Sequence, residues 1–230
     1  MELSSNWSSF QQQNGISRPS SGQSNPNSKR NRYRNRNKVK ETASKSPHVP
    51  VVDIDHTKLG KYVAMDCEFV GCGPKGSISM LGRVSIVNYH GHVVLDTFVK
   101  PPVRVTDWRT WISGVSPRNM AHAVTFKEAQ AMVLEILEGR VLVGHAVQND
   151  LKVLEIQLDR DHIRDTTNYP PFKHAANTKV PGLRTLAKVV LGKDIQKGQH
   201  SSVEDAQITM ELFRLELAGW ECEVSSEEED

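Results

Sequence analysis

The chain opens without a hydrophobic rhythm. Through residues 1 to about 58, Ser, Asn, Gln, Lys and Arg predominate and apolar residues recur at neither the helical nor the strand period. Such a stretch cannot bury enough surface to offset its ordering entropy, so it is expected to be disordered. From Lys61 the pattern changes. KYVAMDCEFV, LGRVSIVNY and HVVLDTFV are short, apolar and rich in β-branched residues, and HGH separates the last two with Gly91 at a hairpin turn. Three antiparallel strands are expected to open the folded part. TFKEAQAMVLEILEG then takes up the helical spacing, with Thr125 as N-cap, Glu128 three residues on and Gly139 at the end. RVLVGH (140–145) runs uninterrupted, as a buried central strand does. Residues 147 to about 157 read as a helix and IRDT (163–166) as a short strand. A loop with Pro170, Pro171 and Pro181 follows, then LRTLAKVVLG as a helix ending at Gly192, and a long amphipathic helix from Ser201 to about Leu217. The order β-β-β-α-β-α-β-α-α predicts an α/β domain, a mixed five-stranded sheet flanked by helices.

Length and charge sharpen this division. A chain of 230 residues holds one ordinary α/β domain plus a tail. The expected parts are a disordered basic tail over 1–58, a folded domain over 59–218 and an acidic tail over 219–230. The net charge of +2 conceals an asymmetry: residues 1–50 carry nine Lys or Arg against Glu2 and Glu41, a balance of +7, which leaves 20 basic and 25 acidic side chains, −5, for the rest. KRNRYRNRNKVK (29–40) interleaves cations with Asn and Tyr33 and reads as a solvated linker, a nuclear import signal or a phosphate-tracking arm.

Other classes are excluded by composition. Cys67, Cys72 and Cys222 are too few and too irregular for a disulfide framework, and no second Cys or His pair completes a zinc site with Cys67 and Cys72. Nothing approaches the run of about 18 apolar residues that spans a bilayer, and the first residues lack the apolar core of a signal peptide, so a soluble intracellular protein without a membrane partner is expected.

Against this frame of elements the carboxylates stand out. Asp66 and Glu68 lie two apart on the first strand and therefore point to the same face. Two acids close together in a buried place repel and hold protons, unless a divalent cation reverses the sign of the cost; alternatively that face is turned to solvent. Asp150 follows GHAVQN, just beyond a central strand and in the first turn of a helix, where both a ligand site and the helix dipole favour an acid. QHSSVEDAQ (199–207) supplies the rest. Ser201 as N-cap would pair with Glu204 in a capping box, while Asp205, rotated by about 100°, is free to face the sheet, with His200 beside it. Four carboxylates and one His make an oxygen-rich set, suited to two Mg²⁺ or Mn²⁺ ions and to phosphodiester hydrolysis with His200 as general base.

The ordered set VAMDCEFVG, VGHAVQND and HSSVEDA resembles the three motifs of the DEDDh superfamily of 3′→5′ exonucleases: the D-x-E, the middle Asp, and the H-x4-D formed by His200 and Asp205. GRVSIVN, VKPP, WRTWISGV and IRDT resemble the RNA exonuclease 4 group within it, over about Lys61 to Leu217. The resemblance implies a ribonuclease H-like fold and 3′→5′ exonuclease activity with two divalent ions, Mg²⁺ or Mn²⁺. Asp66, Glu68, Asp150 and Asp205 would be the metal-binding acids and His200 the base. It further implies single-stranded RNA 3′ ends as substrate, pre-ribosomal particles as partners, and a monomer in the nucleus, in the nucleolus. Phe69 matches a position that meets the terminal nucleotide and could stack on a base, or belong to the core. Arg109 resembles an arginine near the terminal sugar and phosphate, or forms a surface ion pair. Trp108 and Trp111 line the same loop or anchor it.

His145 is expected to bond locally at its strand end, Asp165 to serve a turn or cap as readily as the site, and His90 and His92 to be exposed. Two other functions fit the same residues less well: an exonuclease acting on DNA or on both nucleic acids, and a non-catalytic RNA-binding assembly factor. Because the basic residues concentrate in the tail, removing residues 1–50 should weaken RNA binding and flatten its dependence on salt. A truncated protein with an unchanged salt slope would refute that assignment of charge.

Overall fold

The computed structural model describes residues 55–221. The basic segment 29–40 and the acidic SSEEED lie outside the described residues. The three opening strands form as the alternation predicts: β1 (Tyr62–Cys72), β2 (Ile78–Asn88) and β3 (Val93–Lys100), each antiparallel to the next. Gly91 turns the hairpin at φ 81°. The Asn88 side chain closes that turn, accepting the N–H groups of His90 and His92 at 3.0 Å each, while its amide donates to the carbonyls of His56 and Lys58. The chain entering β1 is thereby sewn to the hairpin.

Two short strands and a helix were not expected. β4 (Val105–Asp107) pairs antiparallel with the far end of β1, and β5 (Val124–Thr125) pairs parallel with the end of β3. The sheet therefore has seven strands and not five, in the order β5-β3-β2-β1-β6-β7 with β4 beside β1. Runs of three and two residues are too short to show a period. Between them, α1 (Thr110–Ser113) is a single turn. β6 (Val141–Gly144) lies parallel to β1, and β7 (Ile163–Asp165) parallel to β6.

The longer helices follow their punctuation. α2 (Phe126–Leu137) carries the predicted capping box, the Glu128 N–H donating to Thr125 Oγ1 at 3.3 Å and the Thr125 N–H to Glu128 Oε2 at 2.8 Å. α3 (Gln148–Leu154), α5 (Leu183–Leu191) and α6 (Ser202–Leu215) fall where expected. The proline-rich loop, in contrast, contains a further helix, α4 (Pro170–Ala175): its prolines occupy the first turn, where a missing N–H costs nothing.

Strand alternation divides the interior. Val63, Met65 and Cys67 pack with Ala129, Val133 and Ile136 of α2 in one core, whereas Ala64 joins Val143, Leu186, Ala206 and Phe213 in the other. Ala64, Asp66 and Glu68 therefore share the face that α6 covers. The second core continues past residue 218. Trp220, 7% exposed, stacks on Tyr169 with centroids 4.1 Å apart and touches Phe172 and Phe213 edge-on. Glu221 accepts from Arg164 Nε at 2.9 Å and Lys61 Nζ at 3.4 Å. No helix among the described residues is long and apolar enough to cross a membrane.

Trp220→Ala should cost about 3–5 kcal/mol of stability in urea unfolding, as expected for emptying a buried aromatic site. A loss below about 1 kcal/mol would show that the domain ends before this residue.

Candidate active site

The site is built where β1 meets β2 irregularly. Glu68 faces Arg83, but Phe69 faces Leu81, so Gly82 is an extra residue on β2. A Cβ on Gly82 would lie 3.0 Å from Val70 Cγ1 and 3.3 Å from Val115 Cγ1, so a larger residue would force the bulge open. The bulge adds local twist just after the D-x-E pair. Glu68 is 7% exposed and Asp66 is half-buried.

Asp150 comes from an elbow after β6. Gly144 passes so close to Val147 that a Cβ on it would sit 2.3 Å from that side chain, and Ala146 is left-handed at φ 56°. Asp165 holds the elbow from the neighbouring strand, accepting the N–H groups of Ala146 and Thr167 at 2.9 Å and of Val147 at 3.1 Å. It serves the turn and so aims α3, which delivers Asp150, 5% exposed, towards β1. His145 bonds Thr166 Oγ1 at 2.8 Å, a local role as expected, and reaches the carbonyl of Pro181. His90 and His92 are exposed.

The start of α6 differs from the sequence reading. Ser201 makes no side-chain cap bond and Glu204 is exposed, so the Ser201–Glu204 capping box does not form. The cap comes from another strand. The Ser202 N–H donates to the Glu68 carboxylate, and its buried hydroxyl lies 2.7 Å from Ser85 Oγ on β2. Ser85 in turn donates to Asp96 at 2.9 Å, and Asp96 grips Arg83 with two bonds of 2.7 and 2.8 Å. Arg83, Ser85, Asp96 and Ser202 thus form a polar buttress behind Glu68. A local pattern could not reveal it, but charged residues on β2 and β3 that face the same side as Asp66 and Glu68 were its visible trace.

Asp205 is 3% exposed. Its Oδ2 accepts from Gln196 Nε2 at 3.0 Å and lies 3.7 Å from His200 Nδ1, a Coulombic contact beyond hydrogen-bond range. His200 is held by its backbone: its N–H donates to the Ile112 carbonyl at 2.7 Å, and Gln199 Nε2 donates to the Thr110 carbonyl at 2.9 Å. α1 therefore positions His200, an arrangement that no sequence spacing signalled.

Asp66, Glu68, Asp150 and Asp205 meet as electrostatic neighbours. Burial, then the charges of Asp150, Asp205 and Glu68, push the Asp66 carboxyl well above its ordinary range. Burial and then Asp205 raise Glu68 to about 8 against the pull of Arg83 and the Ser202 N–H. Burial likewise raises Asp150 to about 8, opposed by a bond from the Cys67 thiol, and raises Asp205. Glu68 Oε1 and Asp205 Oδ1 are buried with no hydrogen-bond partner in the protein. Among the described residues, no three His, Cys, Asp or Glu side chains close a coordination shell by themselves. Unpartnered carboxylate oxygens in a cluster of acids nevertheless fit a hard divalent cation, which satisfies both the oxygens and their charge.

The other candidates have neighbours of their own. Phe69 packs against the first core. Arg109 starts α1 in the left-handed region at φ 48° and donates to Ser79 Oγ and the Gly76 carbonyl at 2.9 Å each. Trp108 packs beside Val70 and Val115, whereas Trp111 is 77% exposed. Cys67 and Cys72 are buried and free.

A model of the exonuclease family RNase_T matches residues 63–213. The chain belongs to this family. Curated relatives named RNA exonuclease 4 include one from Debaryomyces hansenii, 52% identical over 76% of this chain and 64% of its own length, and one from Saccharomyces cerevisiae, 53% identical over 71% and 57%. The chain thus spans about three fifths of the length of the relatives it matches. Among solved structures, the Saccharomyces cerevisiae Pan2 pseudoubiquitin hydrolase–RNA exonuclease module in complex with AAUUAA RNA is 28% identical with a TM-score of 0.61, covering 73% of this chain and 30% of that one. The Neurospora crassa Pan2 catalytic unit, 24% identical with a TM-score of 0.60 over 77% and 31%, shares the fold. The resemblance to the RNA exonuclease 4 group and the ribonuclease H-like sheet both stand.

The raised carboxyls set a pH dependence. Around neutral pH, Glu68 and Asp150 keep protons in the folded protein that the unfolded chain has already released, so stability must fall as pH rises from about 4 towards 8. In EDTA, the unfolding free energy should drop by up to roughly 1.4 kcal/mol per pH unit for each of the two carboxyls in the middle of that window, and Asp150→Asn should flatten the profile. A profile that is level or rises with pH would overturn the buried cluster.

Proposed function

We propose that this protein is a 3′→5′ exoribonuclease that uses divalent cations and a histidine base. One observation carries the reading: the orphaned oxygens of Glu68 and Asp205 lie in the same acid cluster that His200 borders, 3.7 Å from Asp205. The four acids are the residues that would hold two ions, Mg²⁺ or Mn²⁺. Bound there, such ions supply a water of lowered pKa and offset charge on the leaving oxygen.

The chain's own residues do the rest. Glu68 keeps one oxygen on the Ser202 N–H, which orients the other inward. Gln196 does the same for Asp205 through Oδ2. With Nδ1 of His200 turned to Asp205, its Nε2 is the atom left to take a proton from the attacking water. The bond that the His200 N–H donates to the Ile112 carbonyl fixes the backbone beneath that ring.

RNA as substrate is supported by the relatives named RNA exonuclease 4 and by the Pan2 module solved with RNA. Attack at a single-stranded 3′ end, a role in nuclear pre-ribosomal RNA processing and a place in the nucleolus extend the proposal, supported by that likeness and by the basic segment 29–40. The carboxylate cluster acts on phosphates that DNA shares, so paired RNA and DNA oligonucleotides separate the two substrates; a contact to the 2′-hydroxyl favours RNA.

The test follows RNA labelled at either end, with and without EDTA. Early loss of the 3′ label, a ladder from the 5′-labelled strand and arrest by EDTA are expected; loss of the 5′ label first would reverse the polarity. His200→Ala should lower turnover by about 10²–10⁴, whereas Glu204→Gln, now free of any cap, should leave both stability and turnover near the unsubstituted level. Equal losses from the two would refute the division of roles.

A further inference from the structure

From residue 166 to residue 193 the chain carries Lys173, Lys179, Arg184, Lys188 and Lys193 and no Asp or Glu, while the rest of residues 51–230 holds 15 basic and 25 acidic side chains. This stretch is α4, α5 and the turn between them. It forms an open groove of about 500 Å³ lined by Pro170, Lys173, His174, Asn177, Thr178 and Lys179. Three of its lining residues offer cationic or imidazole groups, two offer amide or hydroxyl donors, and none is an acid. Lys193 is neutralised by Glu211, and Arg184 lies 3.9 Å from Asp194, but Lys173 and Lys179 have no ion pair among the described residues.

The groove is rigidly mounted and tied to the site. Beneath it Phe172 is 2% exposed and packs on Tyr169 and Trp220. The turn is fixed by bonds from the Asn177 N–H to the His174 carbonyl and from the Thr178 N–H to the Lys173 carbonyl, 3.0 Å each. Just beyond, Pro181 accepts from His145, in the elbow that delivers Asp150, and Gln196 connects the chain after α5 to Asp205. The chain leaving the groove thus reaches the carboxylate end of the sheet twice, at Pro181 and again after α5 at Gln196.

We infer that the groove along α4 and the turn after it holds the phosphate backbone of a single-stranded RNA several nucleotides to the 5′ side of the bond being cut, an inference that rests on the reading of the carboxylate site as an exoribonuclease centre. Lys173 and Lys179 are the principal contacts, with Asn177 and Thr178 as donors to phosphate oxygens. Cations lining an acid-free groove in an otherwise acidic domain attract a polyanion and release its counterions. The carboxylates engage only the terminal nucleotides, so the groove distinguishes long strands from short ones.

The test compares full-length protein with Lys173→Glu/Lys179→Glu and with a charge-matched control, Lys100→Glu/Lys127→Glu. Binding of 5′-fluorescein-labelled oligoadenylates of about 4 and about 20 nucleotides is followed by anisotropy in EDTA, so that the readout does not need turnover, and degradation of both is measured in Mg²⁺. The groove variant should bind the longer strand at least about tenfold more weakly, with a salt slope shallower by about one. Its turnover of the short strand should fall less than its turnover of the longer one, and the control should match the unsubstituted protein. Equal weakening by groove and control variants, or none by either, overturns the groove. If the unsubstituted protein binds the longer strand and the groove variant does not, but neither degrades RNA in Mg²⁺, the groove stands and the exoribonuclease reading falls.

Discussion

Four carboxylates crowded into one corner of a sheet repel one another, and much of the surrounding structure can be understood as what holds them there. Their backbones are held in place: Asp66 and Glu68 share one face of β1, Asp150 follows an elbow closed on Asp165, and Asp205 lies in the first turn of α6 with Gln196 across it. Carboxyl groups whose proton affinity is raised by burial and by each other show that the fold opposes its own local electrostatics. A protein keeps such an arrangement when a cation that relieves the repulsion is part of its working state.

The buttress behind Glu68 shows how that opposition is sustained. Glu68 is at once a member of the acid cluster and a cap of α6, because it accepts the Ser202 N–H while Ser201 makes no side-chain cap bond. The helix that supplies Asp205 is therefore anchored by the acid it faces. Arg83, gripped by Asp96, adds a positive charge near Glu68 without entering the cluster. Positioning and charge balance come from the same few side chains.

The sequence disclosed those parts of this arrangement that follow from a period or a fixed spacing. The shared face of Asp66 and Glu68 follows from strand alternation, and the rotation from Glu204 to Asp205 follows from the helical angle. The capping box at Thr125 and Glu128 was equally legible, because both partners lie within one turn. The same logic failed at Ser201 and Glu204, where the start of the helix is bound instead by Glu68, 133 residues before Ser201, through the Ser202 N–H. The clasp of α1 on His200 and the stacking of Trp220 on Tyr169 were hidden because each joins segments far apart in the chain, and the Gln196 bond because it spans a loop and follows neither the helical nor the strand period. β4 and β5 were hidden by their brevity.

One contact at the opposite side of the domain bears on how the chain is connected. Glu221 bonds Arg164 and Lys61, so the last described residue lies one ion pair away from the residue that precedes β1. Entry and exit of the folded unit therefore coincide, as they do in many compact domains. The order in which the elements are strung is then separable from the order in which they pack: joining Glu221 to Lys61 through a few linking residues and opening the chain at an exposed turn, such as the one at His90 and Gly91, would produce a circular permutant with the same neighbours around the carboxylates.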